Sequence, residues 1–390
     1  MNLSQIENLI EDSVQADVDL NCAHYETYTL ARFVLISVAT VIAALGTVGN
    51  IILAYVFSAK HNSNTPATLY PSVLACLDFA ICLEYILMFG VDAIVSYLQI
   101  ESLFILYYFY IIPTYVVARI TQLAIPYMLI FATLERLFWT SKKKNPVLKA
   151  FHSTTGRHVT VIVSLICCCV LRLPTAFAIM VEEYPKCPDF FRTMTTNPRE
   201  WVLNSEVYRI FDFHVMTIAQ TMVPFVLLVV LNLVIVKRMC SDSLQKEKEK
   251  EKEKEPQTSE VCYQEDRLLT KQVAVHKSST TIGLSLQPLK SMSPAVRSAV
   301  FTMGAIVTSY LISNVLHLIL TVLERSDHRI LKSDEDPLLS SAFHTFFSDA
   351  VSFTYMFTSA IRILIYYACN PKIRNDLIDF FANRKNAVYL

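Results

Sequence analysis

Seven ionisable side chains stand inside stretches that are otherwise apolar: Asp78, Glu84, Arg119, Glu135, Arg136, Arg172 and Arg362. A charge in a low-dielectric setting is costly unless it is paired, so each marks an ion pair, a binding contact or a switch. In helical geometry Arg119 lies about 25 Å from Arg136 along one helix, and Glu84 about 9 Å from Asp78. Glu84 and Arg119 could therefore face each other as an internal pair, or either could hold a charged ligand group. Arg172 has no evident partner. No Gly-rich phosphate loop, metal-ligand spacing or nucleophile–base arrangement stands out. Cys167, Cys168 and Cys169 point in different directions around a helix and make a poor metal site. The chain is not expected to be an enzyme or to carry a metal or cofactor.

The elements that must position these charges follow from hydropathy. Of 390 residues, 53% are hydrophobic, 17% are charged and mean hydropathy is +0.41. A soluble domain carries about 25% charge. Windows near 31–58, 69–98, 103–138, 158–181, 207–239, 294–323 and 341–369 are each long enough to cross a bilayer as a helix. The expected fold is an all-α membrane protein, a seven-transmembrane helix bundle spanning 31–369. A polar, acidic tail (1–30) precedes it. No basic segment followed by an apolar run opens the chain, so no cleaved signal peptide is expected. Asn2 fits an N-glycosylation sequon with Ser4.

Lys and Arg set the orientation. Lys142, Lys143, Lys144, Lys149 and Arg157 follow the third window; a basic-rich run follows Lys237; Lys372, Arg374, Arg384 and Lys385 lie in the tail. Glu101, Glu182, Glu183, Asp334, Glu335 and Asp336 fall on the other side. The expectation is a multi-pass plasma-membrane protein with its N-terminus outside and C-terminus in the cytoplasm. The connection 240–293, with its alternating Lys/Glu run, is expected to be a disordered cytoplasmic loop. After Pro371, Ile373, Leu377, Ile378, Phe380 and Phe381 would give 370–390 an amphipathic helix on the inner surface.

Five fragments occur in a telling order: Gly49-Asn50; Leu74-Ala75-Cys76-Leu77-Asp78; Glu135-Arg136-Leu137; Pro224 in the fifth window; and Thr358-Ser359-Ala360-Ile361-Arg362-Ile363-Leu364-Ile365-Tyr366. In this order the chain resembles rhodopsin-like (class A) G protein-coupled receptors from about residue 31 to 381. It departs from the family pattern in several places. Leu137 replaces a Tyr. Asn314, four residues after Tyr310, stands where a Trp would be, with no Pro following. Arg362 and Ile363 replace Asn-Pro. No Cys lies near the start of the third window. With the stretch Ser313-Asn314-Val315-Leu316 and the Arg362 end of the last window, the narrower pattern is similar to nematode and other invertebrate FMRFamide-type neuropeptide receptors.

The resemblance implies a receptor that binds an extracellular peptide and activates a heterotrimeric G protein, with the lipid bilayer as its setting and no nucleic acid partner. Glu135, Arg136 and Tyr366 would form the switch at the cytoplasmic end. Asn50, Asp78, Ser359 and Arg362 would form a polar network within the membrane. There an Asp78–Arg362 ion pair is expected in place of the family's sodium site, the alternative being that Arg362 snorkels to the inner surface. Tyr310 and Asn314 would take over the trigger on the sixth helix. Arg119 falls in the half of the bundle where the family binds ligands, so Glu84, Arg119, Gln122, His317, Asp92 and Asp349 are candidates for the pocket wall. Cys187 lies in the loop where the family places a disulfide partner. With none on the third helix, a Cys22–Cys187 bridge is expected to pin the N-tail over the pocket, two free thiols being the alternative. Rival functions are a chemosensory receptor for a small molecule on the same fold, and a seven-span transporter or channel.

Overall fold

The computed structural model describes residues 22–23, 28–59, 68–139, 153–237, 294–326, 329–331 and 341–388. Asn2, the cluster Lys142–Lys149, the loop 240–293 and Asp334–Asp336 lie outside the described residues.

Among the described residues, six helices are long and apolar enough to cross a membrane. They are α1 (Leu30–Ala59), α2 (Leu69–Leu98), α3 (Glu101–Trp139), α4 (Thr154–Ala178), α5 (Glu206–Lys237) and α6 (Pro294–Arg325). The chain is a helical, multi-pass membrane protein of the all-α class. The last expected window is helical in two pieces, α7 (Ala342–Ala360) and α8 (Arg362–Cys369), followed by α9 (Pro371–Val388). The break falls at Ile361, which stays in the right-handed region at φ −78° but whose ψ of −3° departs from the regular helical value of about −42°. The polar side chains of α7, among them His344, Ser348, Asp349, Ser352 and Ser359, keep it below the apolarity of the other six.

Local chemistry accounts for the ends of these helices. Ser153, Ser205 and Ser341 each accept a hydrogen bond from the backbone N–H three residues on, at 3.0, 3.2 and 3.2 Å, and so cap α4, α5 and α7. Asn370 Oδ1 accepts from the N–H groups of Lys372 and Ile373, at 3.2 and 3.3 Å, and Pro371 opens α9 behind it. Gln99, in the left-handed conformation (φ 51°), ends α2.

The packing inverts that of a soluble bundle. Along α1, Val34, Val38, Val41, Leu45 and Val48 point outward, a stripe at the helical period. Small residues face in: Ala39, Ala43, Gly46 and Gly49. Without a hydrophobic drive between helices in lipid, close backbone approach supplies the contact energy. A Cβ at Gly46 would stand 2.6 Å from the Cβ of Ala360 and 2.9 Å from Cys82 Sγ, so only glycine fits between α1, α7 and α2. Hydroxyls inside the bundle donate to the carbonyl one turn back: Thr40 to Ile36 at 2.7 Å, Thr133 to Leu129 at 2.6 Å and Thr358 to Thr354 at 2.7 Å.

Helix α1 packs on α2 and α7, α2 on α3, α3 on α4, and α6 on α7. The fourth window was expected to run to Val181, but α4 ends at Ala178. Ile179–Glu183 (β1) pairs antiparallel with Met194–Pro198 (β2), Ile179 opposite Pro198. Phe190 and Phe191, on the turn between the strands, pack their rings on Phe104 near the start of α3. The hairpin therefore marks one end of the bundle. Arg136 and Arg157, at the end of α3 and the start of α4, mark the other.

Candidate functional site: a cavity and a buried ion pair

Helix α2 carries two carboxylates into the bundle six residues apart, and they meet different surroundings. Asp78 is fully buried and pairs with Arg362, which is 1% exposed. The break at Ile361 precedes Arg362 directly, and the Nη1 group donates to Asp78 Oδ2. The expected ion pair is formed, and the snorkelling alternative is not. Asn50 joins the same region through Nδ2, which donates to the carbonyls of Gly46 at 3.0 Å and Ser359 at 3.1 Å. Tyr366, one turn beyond Arg362, is buried edge-on against Phe57, with ring centroids 5.1 Å apart.

Towards the hairpin end lies a cavity of about 330 Å³. Glu84, Arg119, Gln122 and His317 line it, as do Tyr310 and Asn314. Asp349 and Asp92 do not belong to this wall. Asp349 instead receives Arg32 of α1 at 2.9 Å. Its neighbour Ser348 lines the cavity, and one residue turns the side chain by about 100° around the helix, which carries Asp349 away. Asp92 takes the hydroxyl of Ser96 at 3.5 Å.

Glu84 and Arg119, both on the cavity wall, form no pair with each other. Glu84 Oε1 accepts from Thr121 Oγ1 at 3.0 Å. Thr121 and Arg119 are two residues, or about 200°, apart on α3. With Thr121 turned to α2, Arg119 must turn away. Its Nε and Nη2 both donate to the Tyr115 hydroxyl, at 2.8 and 2.6 Å, and the guanidinium stacks 4.9 Å from the Tyr115 ring centroid.

Arg172, which had no evident partner in the sequence, is held by α5. It pairs with Asp212 at 3.1 Å and donates to Gln220 Oε1. Asp212 and Gln220 sit in two π-helical stretches, Ile210–Met216 and Ile218–Met222, and a third, Ile86–Gly90, follows Glu84 in α2. Each extra residue per turn re-aims the side chains that follow it, and such bulges concentrate at functional sites. A carboxylate and an amide inside the apolar fifth window were the available signal for this contact.

At the far end of α3, Glu135 Oε1 meets Arg157 Nε at 2.8 Å, so the acid is tied to the start of α4, and Arg136 is buried beside it. At the hairpin end Cys22 and Cys187 are bonded, with Cα atoms 4.9 Å apart. Two further contacts reinforce that stitch: the Ala23 N–H donates to the Arg192 carbonyl at 3.0 Å, and Arg192 Nε donates to the Ala23 carbonyl at 2.8 Å. Among the described residues no cluster of His, Cys, Asp and Glu could hold a metal ion. Compared with known proteins, the chain matches no protein-family model and no curated sequence.

Proposed function

We propose that this chain is a seven-span plasma-membrane receptor, N-terminus outside, that binds an extracellular peptide and activates a heterotrimeric G protein. The observation that carries the reading is the placement of a lined cavity and a buried Arg136 at opposite ends of one helix. The 17 residues from Arg119 to Arg136 separate them by about 25 Å. A ligand in the cavity reaches the far end only by changing how the helices pack, which is a population shift between two arrangements of the bundle.

Several features support the orientation and span count. The Cys22–Cys187 disulfide stands at the hairpin end, and disulfides persist outside the cell. Arg157, Lys237, Lys372 and Arg374 fall on the cytoplasmic side of this reading. Helices α7 and α8 supply the seventh crossing, their polar groups turned to partners such as Arg32 and Asp78. On α9, Ile373 and Leu377 are buried while Ile378 and Phe381 stay exposed, as befits a helix lying on the inner membrane surface.

The size of the cavity favours a second reading, a small-molecule chemosensory receptor, because about 330 Å³ lies at the lower end of small-ligand pockets. Expression with promiscuous G proteins, followed by challenge with a peptide library in amidated and free-acid forms and a small-molecule library, separates the two. A response abolished by Arg136→Ala is expected from the peptide arm. An Arg136→Ala receptor that signals as well as the parent at equal surface expression overturns the switch. An N-terminal epitope hidden on intact cells overturns the orientation.

A further inference from the structure

The polar groups around the cavity are unbalanced in a way that specifies a ligand. Arg119 carries five N–H donors in a rigid fork. Its hydrogen bonds among the described residues go to a single phenol oxygen, that of Tyr115. Two acids lie in its surroundings: Asp212, which pairs with Arg172 at 3.1 Å, and Glu324, which also lines the cavity and meets His344 Nε2 at 3.2 Å, and neither hydrogen-bonds Arg119. A guanidinium on a cavity wall whose hydrogen bonds go only to a phenol keeps donors for a planar anion, which it can hold through two parallel hydrogen bonds.

Across the same cavity two other buried groups lack partners. Glu84 is 6% exposed, and its Oε2 has no hydrogen-bond partner. Asn314 is 2% exposed, and its Nδ2 has none. Buried polar atoms are nearly always satisfied, and leaving one unmade forfeits its solvation. Both residues line the cavity, so a bound molecule can complete them. Tyr85, Phe89, Tyr310 and Tyr355 add aromatic surface to the same lining.

We infer that the cavity takes a dipolar ligand head: an aromatic or apolar body bearing a carboxylate for Arg119 and an N–H donor for Glu84, with Asn314 donating to a ligand acceptor. This inference rests on reading the cavity as the receptor's ligand site. The same head could belong to a free small molecule or to a peptide end with an unblocked carboxylate.

The test is saturation-transfer NMR on the purified full chain in lipid nanodiscs. The probes are phenylalanine, 3-phenylpropanoate and 2-phenylethylamine, with triglycyl-phenylalanine as free acid and as amide. Phenylalanine is expected to bind about tenfold more tightly than 2-phenylethylamine, the worth of one charge-assisted contact, with 3-phenylpropanoate between them. Arg119→Gln should abolish the preference for the two carboxylates. Glu84→Gln should bring phenylalanine down to the level of 3-phenylpropanoate. Tyr115→Phe, which removes the competing acceptor, should tighten both carboxylates and serves if Arg119→Gln fails to fold. Binding of the tetrapeptide acid but not its amide identifies a peptide end as the source; binding of phenylalanine with neither tetrapeptide identifies a small molecule. Equal affinities across the charge series overturn the inference. So does an order unchanged by Arg119→Gln, a Tyr115→Phe variant that does not gain, or no binding by any probe at millimolar concentration. No G protein is present in this assay, so its failure leaves the signalling test standing, and a silent receptor that binds the probes leaves the inference standing.

Discussion

Two carboxylates on one helix, Asp78 and Glu84, reach opposite outcomes with the arginines available to them. Asp78 meets Arg362 where α1, α2 and α7 close on Gly46, Ala360 and Cys82. Six residues on, Glu84 meets a threonine, and Arg119 turns to a tyrosine, beside a cavity of about 330 Å³. The difference is room. Where backbones touch there is no space for water, and a charge must find its opposite within the protein. Where a π-helical stretch interrupts α2 at Ile86–Gly90 and the bundle holds a cavity, opposite charges can stay apart and remain available. The bundle thus has a packed centre whose opposite charges pair and an end where they stay apart beside a cavity.

Breaking the buried pair should produce the largest effect. Arg362→Ala leaves Asp78 without its counter-charge at a site with no exposure, and removing one partner of such a pair costs about 3–5 kcal/mol. The double variant Asp78→Leu with Arg362→Met should recover most of that loss, since an apolar replacement of both charges is often neutral. Thermal unfolding of the purified protein in nanodiscs measures both. Singles that lose no more than the double would show that the two side chains do not depend on one another.

The close approach around that pair gives a second contrast of smaller size. Gly46→Ala places a Cβ 2.6 Å from Ala360 Cβ and should cost about 1–3 kcal/mol by overpacking. Adding Ala360→Gly should relieve part of it. Gly304→Ala on α6 is the control: its Cβ would meet only Asn232 Oδ1, at 3.8 Å, so the gain in helix propensity of up to about 1 kcal/mol should show instead. Equal effects at Gly46 and Gly304 in the same unfolding assay would dissolve the distinction between a tight centre and a loose periphery.

The sequence was most legible where one physical rule dominates. Long apolar windows mark lipid-facing helices because nothing else tolerates them, and six of the expected windows reappear as such helices. Asp78 and Arg362 could be paired on paper because the family resemblance aligned them. Rotation about the helix axis was harder to read. That Arg119 would turn from Glu84 depended on Thr121 claiming the α2 side, and that Asp349 would leave the cavity depended on Arg32 at the start of α1. The tie from Arg172 to Asp212 and Gln220 runs through two π-helical stretches of α5, which hydropathy cannot reveal, since a bulge changes direction without changing composition. The expected seventh window is polar along one side and broken at Ile361, so its composition falls short of the other six even though α7 packs against α1, α2 and α6.

The smallest effect is the sharpest test of the open end. Glu84→Gln removes a buried carboxylate, as Asp78→Asn would, yet it should cost no more than about 1 kcal/mol, the net worth of one hydrogen bond. The glutamine carbonyl can still accept from Thr121 Oγ1 at the 3.0 Å position. That hydroxyl also has the Val117 carbonyl one turn back at 2.8 Å, so it keeps a partner even if the glutamine amide turns over. The remaining amide nitrogen takes the place of Oε2, which has no hydrogen-bond partner in the parent, so no existing contact is lost. The measurement is the same unfolding midpoint, compared with Asp78→Asn prepared alongside. A loss at Glu84 as large as that at Asp78 would mean that the cavity wall is as dry and as closed as the centre, and that Glu84 is structural scaffolding with nothing left to offer a ligand.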